Sequence, residues 1–246
     1  MTRIIASIEA RMSSSRLPGK ALMDINGQPS LTRQVRRLQQ SKKLDGIVVA
    51  TSTNPADDAI KAWAMGEDIA CYRGSEDDVL LRVVEAQRSM NSNIVVEICG
   101  DTPLIDSAVI DQAITLFEDT DSDIVSNTYN LSYPQGIDAQ VFRMSDLEEV
   151  ERTVKDPAVR EHVSLYFYEH PERYRLVDLI APPEHTLPDQ RLQLDYEEDL
   201  TLIREVYRQL EPKKGISFGV GDITALLAKN PELAELNSHC EETSAR

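Results

Sequence analysis

The sequence predicts an α/β fold in which a mostly parallel central sheet is flanked by helices. Short apolar runs rich in Ile and Val alternate with amphipathic segments through the first half of the chain. Strands buried on both faces have this composition, and their alternation with helices is typical of right-handed βαβ units. The length of 246 residues is enough for one sizeable domain with its own core. Because we find no linker, repeat or low-complexity tract, we predict a single domain over residues 1–246, with a polar, mobile tail from about residue 237.

The elements of the first half follow from these two patterns. The apolar runs predict strands over residues 3–9, 46–51, 68–72 and 94–99. Helical spacing of apolar residues predicts helices over residues 31–40, 57–65, 78–90 and 107–117. Residues 10–29 contain a run of serines, a Pro-Gly pair and a further glycine, and we predict that they form a loop.

The second half predicts a more mixed arrangement. Strand-like segments cover residues 123–126, 138–142, 175–180 and 190–194. Helical spacing covers residues 145–154, 159–169 and 197–210. The prediction of a parallel sheet therefore rests on the first half of the chain.

The chain is acidic overall but basic at its start. The net charge of −16 argues against general binding to nucleic acid. Residues 1–43 nevertheless carry nine Lys and Arg residues and two acids, a net charge of +7, whereas the other 203 residues carry a net charge of −23. This basic segment suits a polyanionic small molecule. A solvated helix face is the simpler interpretation for the four cations that follow residue 35, which are Arg36, Arg37, Lys42 and Lys43.

Cysteine usage and hydropathy predict a cytoplasmic protein. Cys71, Cys99 and Cys240 are widely spaced and odd in number, which is typical of reduced thiols rather than of disulfides or a CxxC metal site. No apolar run approaches the ~20 residues that span a bilayer, and the N-terminus lacks a signal-peptide pattern. We therefore expect no membrane partner.

A cationic loop directly follows the first predicted strand. Residues 10–20 read ARMSSSRLPGK and bring Arg11, Arg16 and Lys20 close together in the chain. Ligands of open parallel sheets bind at the carboxyl ends of strands, and small residues let backbone N–H groups approach phosphate oxygens. Arg adds bidentate contacts and Lys a point charge. The loop therefore predicts a triphosphate site, although it matches neither GxxxxGK[ST] nor GxGxxG. The alternative is a polar surface loop.

Two aspartates at predicted strand ends can complete this site. Asp101 lies in GDTPL directly after strand 94–99, and Asp195 follows the strand-like segment 190–194. A carboxylate beside a triphosphate is unfavourable unless a cation lies between them, and Mg²⁺ supplies such a bridge. The alternatives are a turn for Asp101 and a helix N-cap for Asp195.

Together these residues resemble the CMP-sugar synthetase superfamily, meaning the 3-deoxy-manno-octulosonate and acylneuraminate cytidylyltransferases, and within it the spore-coat-polysaccharide-type branch. The resemblance runs from Ile4 to about Leu210. Its ordered blocks include IEARMSSSRLPGK, DGIVVATSTNPADD, YRGSEDDVLLR, GDTPLID, VSNTY, YPQGIDAQVF, REHVSLYFYEHPE and RLQLDYEEDLTLI. It implies a Rossmann-like nucleotide-diphospho-sugar transferase fold of the GT-A type. It also implies transfer of CMP from CTP to a small anionic sugar acid, such as a nonulosonic or octulosonic acid, with release of pyrophosphate.

The resemblance implies four groups of site residues. The triphosphate would be held by Arg11, Ser13, Ser15, Arg16 and Lys20. The base would be recognised by Thr51, Ser52, Arg73, Gly74 and Ser75. The acceptor pocket would be lined by Tyr133, Gly136, Asp138, Arg160 and His162. The Mg²⁺ ligands would be Asp101 and Asp195, which with Arg16 and Lys20 would form the catalytic group.

Two further hypotheses stay open beside this one. The chain could be a nucleotidyltransferase that uses another anionic acceptor, such as a phosphonate, or another nucleotide. It could also be a catalytically idle nucleotide- or sugar-binding protein, which the presence of both aspartates disfavours. The resemblance implies a homodimer, with residues 123–180 as a reasonable interface. Departures from the residues common in the branch occur at Glu9, Cys99 and Glu197.

Overall fold

The computed structural model describes residues 2–241, which form seven strands and ten α-helices beside short 3₁₀ turns. The strands are β1 (Ile4–Glu9), β2 (Gly46–Ser52), β3 (Ala70–Gly74), β4 (Ile94–Cys99), β5 (Ile124–Ser126), β6 (Gln140–Arg143) and β7 (Leu176–Asp178). The helices are α1 (Ser30–Leu38), α2 (Asp58–Gly66), α3 (Val79–Ser89), α4 (Ser107–Asp119), α5 (Met144–Thr153), α6 (Pro157–Glu161), α7 (Leu165–Glu169), α8 (Glu197–Lys214), α9 (Val220–Lys229) and α10 (Pro231–Ala234).

The seven strands form one sheet in the order β3-β2-β1-β4-β6-β5-β7. β6 runs antiparallel to β4 and β5, and the other neighbouring pairs are parallel. Six strands therefore end at one edge of the sheet, which we call the carboxyl edge, and β6 begins there. The prediction of a mostly parallel sheet flanked by helices is confirmed.

Apolar layers cover both faces of the sheet. Ile4, Ala6 and Ile8 of β1 belong to the cluster that packs under α1, α4 and α8, whereas Ile5 belongs to the cluster under α3, α5 and α7. A strand buried on both faces needs apolar residues in succession, which is why β1 reads as a continuous apolar run. Helix α3 begins where the Asp78 carboxylate accepts a hydrogen bond from the backbone N–H of Leu81 at 3.0 Å.

Two elements of the second half differ from their prediction. Residues 190–194 carry a single parallel bridge, Gln135↔Arg191, in place of a strand. The helix predicted over residues 159–169 is two short helices, because α6 ends at Glu161 and α7 begins at Leu165.

The basic face of α1 is partly buried. Arg37 is only 2% exposed and donates hydrogen bonds to the carbonyl oxygens of Ile105 at 2.6 Å and Phe218 at 2.8 Å. Its guanidinium ties α1 to the chain after α8. The interpretation of this residue as part of a solvated face is therefore wrong.

The packed part of the chain extends past the predicted tail boundary. Asn237 is 1% exposed, and its side-chain amide donates to Oδ1 of Asp199 at 2.7 Å and to the carbonyl of Arg191 at 3.0 Å. The rest of the predicted tail, residues 242–246, lies outside the described residues. Within residues 2–241, every helix is too short or too polar to span a membrane.

Candidate active site

The cationic loop after β1 folds back on itself at the carboxyl edge. The backbone N–H of Gly19 donates to the carbonyl of Met12 at 2.9 Å, and Gly19 has a φ of 77°, which glycine adopts without strain. Leu17 is buried and anchors the turn. The N–H of Met12 donates to Oδ1 of Asp57 at 2.7 Å, which fixes the start of the loop to the turn between β2 and α2.

The loop brings its cations onto both predicted metal-binding aspartates. The Lys20 ammonium lies 2.6 Å from Oδ2 of Asp101 and 2.7 Å from Oδ1 of Asp195. Arg16 lies 2.7 Å from the other oxygen of Asp195. Four side chains from three distant parts of the sequence thus form one charged cluster. We call Arg16, Lys20, Asp101 and Asp195 the edge cluster.

The charges of the edge cluster support one another. Burial opposes the charged form of Lys20, but Asp101 and Asp195 outweigh it and raise the pKa of the ammonium. Burial likewise opposes ionisation of Asp195, but Lys20 and Arg16 outweigh it and lower the pKa of that carboxyl. Lys20 is therefore an ammonium and Asp195 a carboxylate at neutral pH.

Backbone contacts explain how Asp195 reaches this position. The N–H of Leu194 donates to the carbonyl of Asp101 at 2.7 Å, so the two segments lie side by side. Asp199, in the first turn of α8, accepts from the N–H groups of Asp195 at 2.9 Å and Tyr196 at 3.0 Å. The carboxylate that caps this helix region belongs to Asp199, which leaves the Asp195 side chain to the edge cluster.

Asp57, Asp199 and Arg191 are buried supports that sequence reasoning missed. Asp57 accepts from Ser52 as well as from the cationic loop. Arg191 lies 3.4 Å from oxygens of both Asp195 and Asp199. The sequence around each of the three gives no sign of a role, and their role becomes visible only because the structure buries them beside functional residues.

The other predicted phosphate ligands lie along the same loop. Ser13 and Ser15 are exposed. Arg11 is half-buried and lies 2.6 Å from Oε1 of Glu161, at the end of α6. Arg11 is thus at the loop but outside the edge cluster.

The residues predicted to recognise the base meet at the ends of β2 and β3. Thr51 pairs in register with Arg73 and Ser52 with Gly74. Arg73 donates to the carbonyl of Ser52 at 2.8 Å and so joins the ends of the two strands. The Ser75 hydroxyl accepts a hydrogen bond from the backbone N–H of Asp78 at 3.1 Å. Thr51 carries a buried hydroxyl with no hydrogen-bond partner among the described residues.

The predicted acceptor residues divide into two groups. Gly136 has a φ of 94°, and a Cβ there would lie 2.7 Å from the backbone nitrogen of Gln193, so only glycine fits. Asp138 accepts a hydrogen bond from the N–H of Gly136 at 3.1 Å. Burial is the main cause of the raised pKa of Cys99, and Asp138 is one of the acids that raise it further, so Asp138 lies near the carboxyl edge. Tyr133, in contrast, is 2% exposed and its hydroxyl lies 3.4 Å from Gln112 of α4.

Arg160 and His162 occupy the junction between α6 and α7. The Arg160 guanidinium pairs with the Asp78 carboxylate, lies 3.3 Å from Glu151, and donates to the Glu151 carbonyl at 2.6 Å. These contacts bind α6 to the start of α3 and the end of α5. His162 is exposed. The positive charge of Arg160 is therefore balanced by Asp78 and Glu151 within the fold.

Two acids, Glu9 at the end of β1 and the buried Glu97 of β4, have raised pKa values. Burial raises the pKa of Glu97 to about 8, against an opposing hydrogen bond from Ser164. Burial and Glu97 raise the pKa of Glu9 well above its ordinary value, against the opposing charge of Arg82. Glu97 therefore favours the neutral form at neutral pH, and the pKa of Glu9 is shifted in the same direction.

The edge cluster has a donor set that suits Mg²⁺. Asp101 and Asp195 share one cation between their oxygens, and both aspartates supply hard oxygen ligands. Mg²⁺ is commonly held by one or two carboxylates together with substrate phosphates. The residues present therefore fit such an ion.

Comparisons with known proteins identify the family and the fold. Residues 5–217 match the family model described as cytidylyltransferase. The spore coat polysaccharide biosynthesis protein SpsF of Bacillus subtilis is 33% identical over 95% of this chain and 98% of its own length. The structure of a cytidylyltransferase from Leptospira borgpetersenii has a TM-score of 0.89 at 26% identity, covering 99% of this chain and 100% of that one. The structure of CMP:2-keto-3-deoxy-manno-octonic acid synthetase complexed with CTP shares the fold, with a TM-score of 0.62 at 18% identity over 85% of this chain and 99% of that one.

Proposed function

The chain belongs to the cytidylyltransferase family, and from that premise we propose that it transfers CMP from CTP to a small sugar acid with release of pyrophosphate. The observation that carries the proposal is the edge cluster, in which one ammonium joins two carboxylates at the end of the cationic loop. A triphosphate bound on this loop would meet Arg and Lys donors on one side and two aspartates on the other.

The proposed reaction is an in-line attack of an acceptor hydroxyl on the α-phosphorus of CTP. The bond from the acceptor oxygen to phosphorus forms, the bond to the β-phosphate oxygen breaks, and the hydroxyl proton is released. Such a transfer depends on positioning and charge neutralisation more than on covalent catalysis. No nucleophilic Ser or Cys is required.

The chain's own residues supply those two requirements. Lys20 has three N–H donors, and two of them serve Asp101 and Asp195. The third can contact a phosphate oxygen, and Arg16 can offer a second donor group beside it. Both cations would balance the charge that develops on the leaving pyrophosphate.

Asp101 and Asp195 are the residues that would hold Mg²⁺. When bound, the ion would neutralise charge on the α-phosphate and lower the pKa of the attacking hydroxyl. Arg11, Ser13 and Ser15 would complete the phosphate site. The base would lie over the ends of β2 and β3, near Thr51, Ser52 and the segment from Arg73 to Ser75.

The proposal that the acceptor is a sugar acid rests on the relatives, and not on a cation of this chain that would bind the acid group. The solved CTP complex is of an enzyme named for 2-keto-3-deoxy-manno-octonic acid. Gly136 and Asp138, in the segment just before β6, remain the proposed acceptor residues of the sequence-predicted set. We leave Arg160 and Tyr133 out, because the first is paired with Asp78 and the second is packed against α4. His162 stays a prediction.

A homodimer and a cytoplasmic location remain part of the proposal. Residues 123–180 include the exposed apolar side chains of Leu131 and Ile180, at 48% and 58% exposure. A surface of this kind suits contact with a second copy of the chain. Light scattering of the purified protein measures the oligomeric state directly.

Pyrophosphate release from CTP tests the proposed function. The purified protein is incubated with CTP and a panel of sugar acids, phosphonates and neutral sugars, with Mg²⁺ or with EDTA. We expect release with a sugar acid that depends on Mg²⁺ and is weaker with ATP, GTP or UTP. Release only with a phosphonate or another nucleotide would favour the related nucleotidyltransferase. No release with any acceptor would favour the idle binding protein.

A further inference from the structure

The carboxyl edge has a stretch that the nucleotide residues leave unused. The proposed base residues follow β3 and β2, the cationic loop follows β1, and Asp101 follows β4. The next positions along the edge belong to the start of β6 and the end of β5. An acceptor that attacks the α-phosphate must approach from this side, because the opposite side is proposed for the base.

A network of hydroxyl and amide groups fills the sheet face at this position. Oε1 of Gln140, at the start of β6, accepts from the hydroxyls of Ser164 at 2.5 Å and of Tyr168. The Tyr168 hydroxyl also lies 2.8 Å from that of Ser126, the last residue of β5, and 3.0 Å from that of Thr128, two residues later. These groups carry no formal charge, and each can donate or accept hydrogen bonds except the amide oxygen, which only accepts.

An exposed aromatic ring lies against this network. The rings of Tyr129 and Tyr168 are stacked with their centroids 5.4 Å apart and an interplanar angle of 30°. Tyr129 is 51% exposed, so part of its ring is available to a ligand. An aromatic face offers large contact area at low entropy cost, and small-molecule sites combine such faces with a few convergent polar groups.

Glu97 connects the network to the edge cluster. It pairs in register with Gln140 across β4 and β6, and its carboxyl is close enough to the Ser164 hydroxyl to affect the pKa of the acid. Its Oε2 atom is buried and has no hydrogen-bond partner among the described residues. Glu97 lies two residues before Cys99, the last residue of β4, which is about 7 Å along the strand, and Asp101 comes after Cys99 and Gly100. Through Glu97 the network therefore lies close to Asp101, one of the two proposed metal ligands.

We infer that Tyr129, stacked on Tyr168 over the Gln140 network, is the ring-binding part of the acceptor subsite. The apolar face of a sugar ring would lie on Tyr129, and its hydroxyls would turn toward the hydroxyls and amide beneath. This inference rests on the proposed function and deepens it, because it names a sugar ring as the recognised group. A short linear phosphonate has no ring face and would gain little from Tyr129.

The test compares five proteins with the acceptor that the wild type converts. They are the wild type, Tyr129→Ala, Tyr129→Phe, Tyr168→Phe and Ile180→Ala, the last being a matched control for an exposed apolar side chain at the same edge. KM is measured separately for acceptor and for CTP, and the oligomeric state is measured by light scattering. Thermal unfolding checks that each variant is folded.

We expect Tyr129→Ala to raise KM for the acceptor about tenfold, the upper part of the range for an aromatic contact, and to leave KM for CTP within about twofold. Tyr129→Phe keeps the ring and should stay within about twofold of the wild type for both substrates. Ile180→Ala should leave both KM values unchanged. As a second variant inside the network, Tyr168→Phe keeps the ring but loses its hydroxyl, and should raise KM for the acceptor severalfold.

Three results would overturn the inference. The first is an unchanged acceptor KM in Tyr129→Ala. The second is an equal rise in Ile180→Ala, which would assign the effect to the surface as a whole. The third is loss of a dimer in Tyr129→Ala without a change in acceptor KM, which would make this ring an interface residue. If the wild type releases no pyrophosphate with any acceptor, the proposed function itself fails and the inference falls with it.

Discussion

Replacing Lys20 by alanine is the perturbation that separates the chemistry from the fold. The ammonium contacts Asp101 at 2.6 Å and Asp195 at 2.7 Å, so the variant loses two charge-assisted hydrogen bonds at once. Loss of one contact to developing charge in a transition state costs about 10²-fold or more in turnover, or about 2.7 kcal/mol. We therefore expect Lys20→Ala to turn over at least ~10²-fold more slowly with saturating CTP.

The stability cost of the same change should be smaller than for an isolated buried charge. The Asp195 side chain is 4% exposed but keeps Arg16 at 2.7 Å, and the Asp101 side chain is 22% exposed and can be hydrated. We expect a loss of about 1–3 kcal/mol in the free energy of unfolding, rather than the ~3–5 kcal/mol of a buried ion left alone. In a chain of this size that is a fall in Tm of roughly 2–12 °C.

The assay is steady-state pyrophosphate release, with thermal unfolding on the same samples. Lys43→Ala is the matched control, because Lys43 also pairs with a carboxylate, that of Glu118, but on the exposed surface. It should keep wild-type turnover and lose less than about 1 kcal/mol. Near-normal turnover in Lys20→Ala would refute the role of the ammonium at the phosphates.

Three further predictions follow from the same geometry. Asp101→Ala should lower turnover by at least ~10²-fold while the protein stays folded, and raising Mg²⁺ should not restore it; unfolding curves and Mg²⁺ titrations of activity check this. The pKa of Glu97 is about 8 in the folded state and about 4.5 in the unfolded state, so the folded state binds more protons between these values and the free energy of unfolding should fall as pH rises from about 5 to 8. Urea unfolding at four pH values should show a weaker pH dependence for Glu97→Gln than for the wild type. The same pH dependence in both proteins would contradict a neutral Glu97 carboxyl. Arg160→Ala should lose about 2 kcal/mol of stability through its contacts with Asp78 and Glu151 but leave the acceptor KM within about threefold; a large rise in that KM with little loss of stability would return Arg160 to the acceptor site.

The first half of the fold could be predicted because its signals are local. Strands β1, β2 and β4 are mostly apolar runs, and the helices between the strands have regular spacing of apolar residues. Residues 190–194 have a strand-like pattern, but they form one bridge beside Gln135 instead of joining the sheet. What decides this is the position of the segment beyond the end of the sheet, which no local pattern encodes.

The site could be predicted where position on a strand was informative. Asp101 and the cationic loop both follow strands whose carboxyl ends meet at one edge, so their convergence follows from topology. Arg160 shows the limit of this reasoning. Its partner Asp78 is 82 residues away in the chain, and without that pairing a lone Arg in a family block appears available for an anion.

Burial was the other quantity that the sequence did not contain. The sequence predicts Arg37 on a solvated face of α1, but the residue is buried, because carbonyls of two distant segments accept hydrogen bonds from its guanidinium. Asp199 reads as one acid in a run of three at a helix start, yet it is fully buried and positions Asp195. Polar residues become structural supports when long-range packing removes water from around them.

A crystal structure with CTP and Mg²⁺ tests the central claim most directly, since the claim is that one nucleotide is held by the edge cluster through its phosphates. We predict the ion about 2.1 Å from oxygens of Asp101 and Asp195, with the Lys20 and Arg16 side chains on the phosphates. A triphosphate bound away from residues 11–20, or an ion that touches neither aspartate, would contradict it.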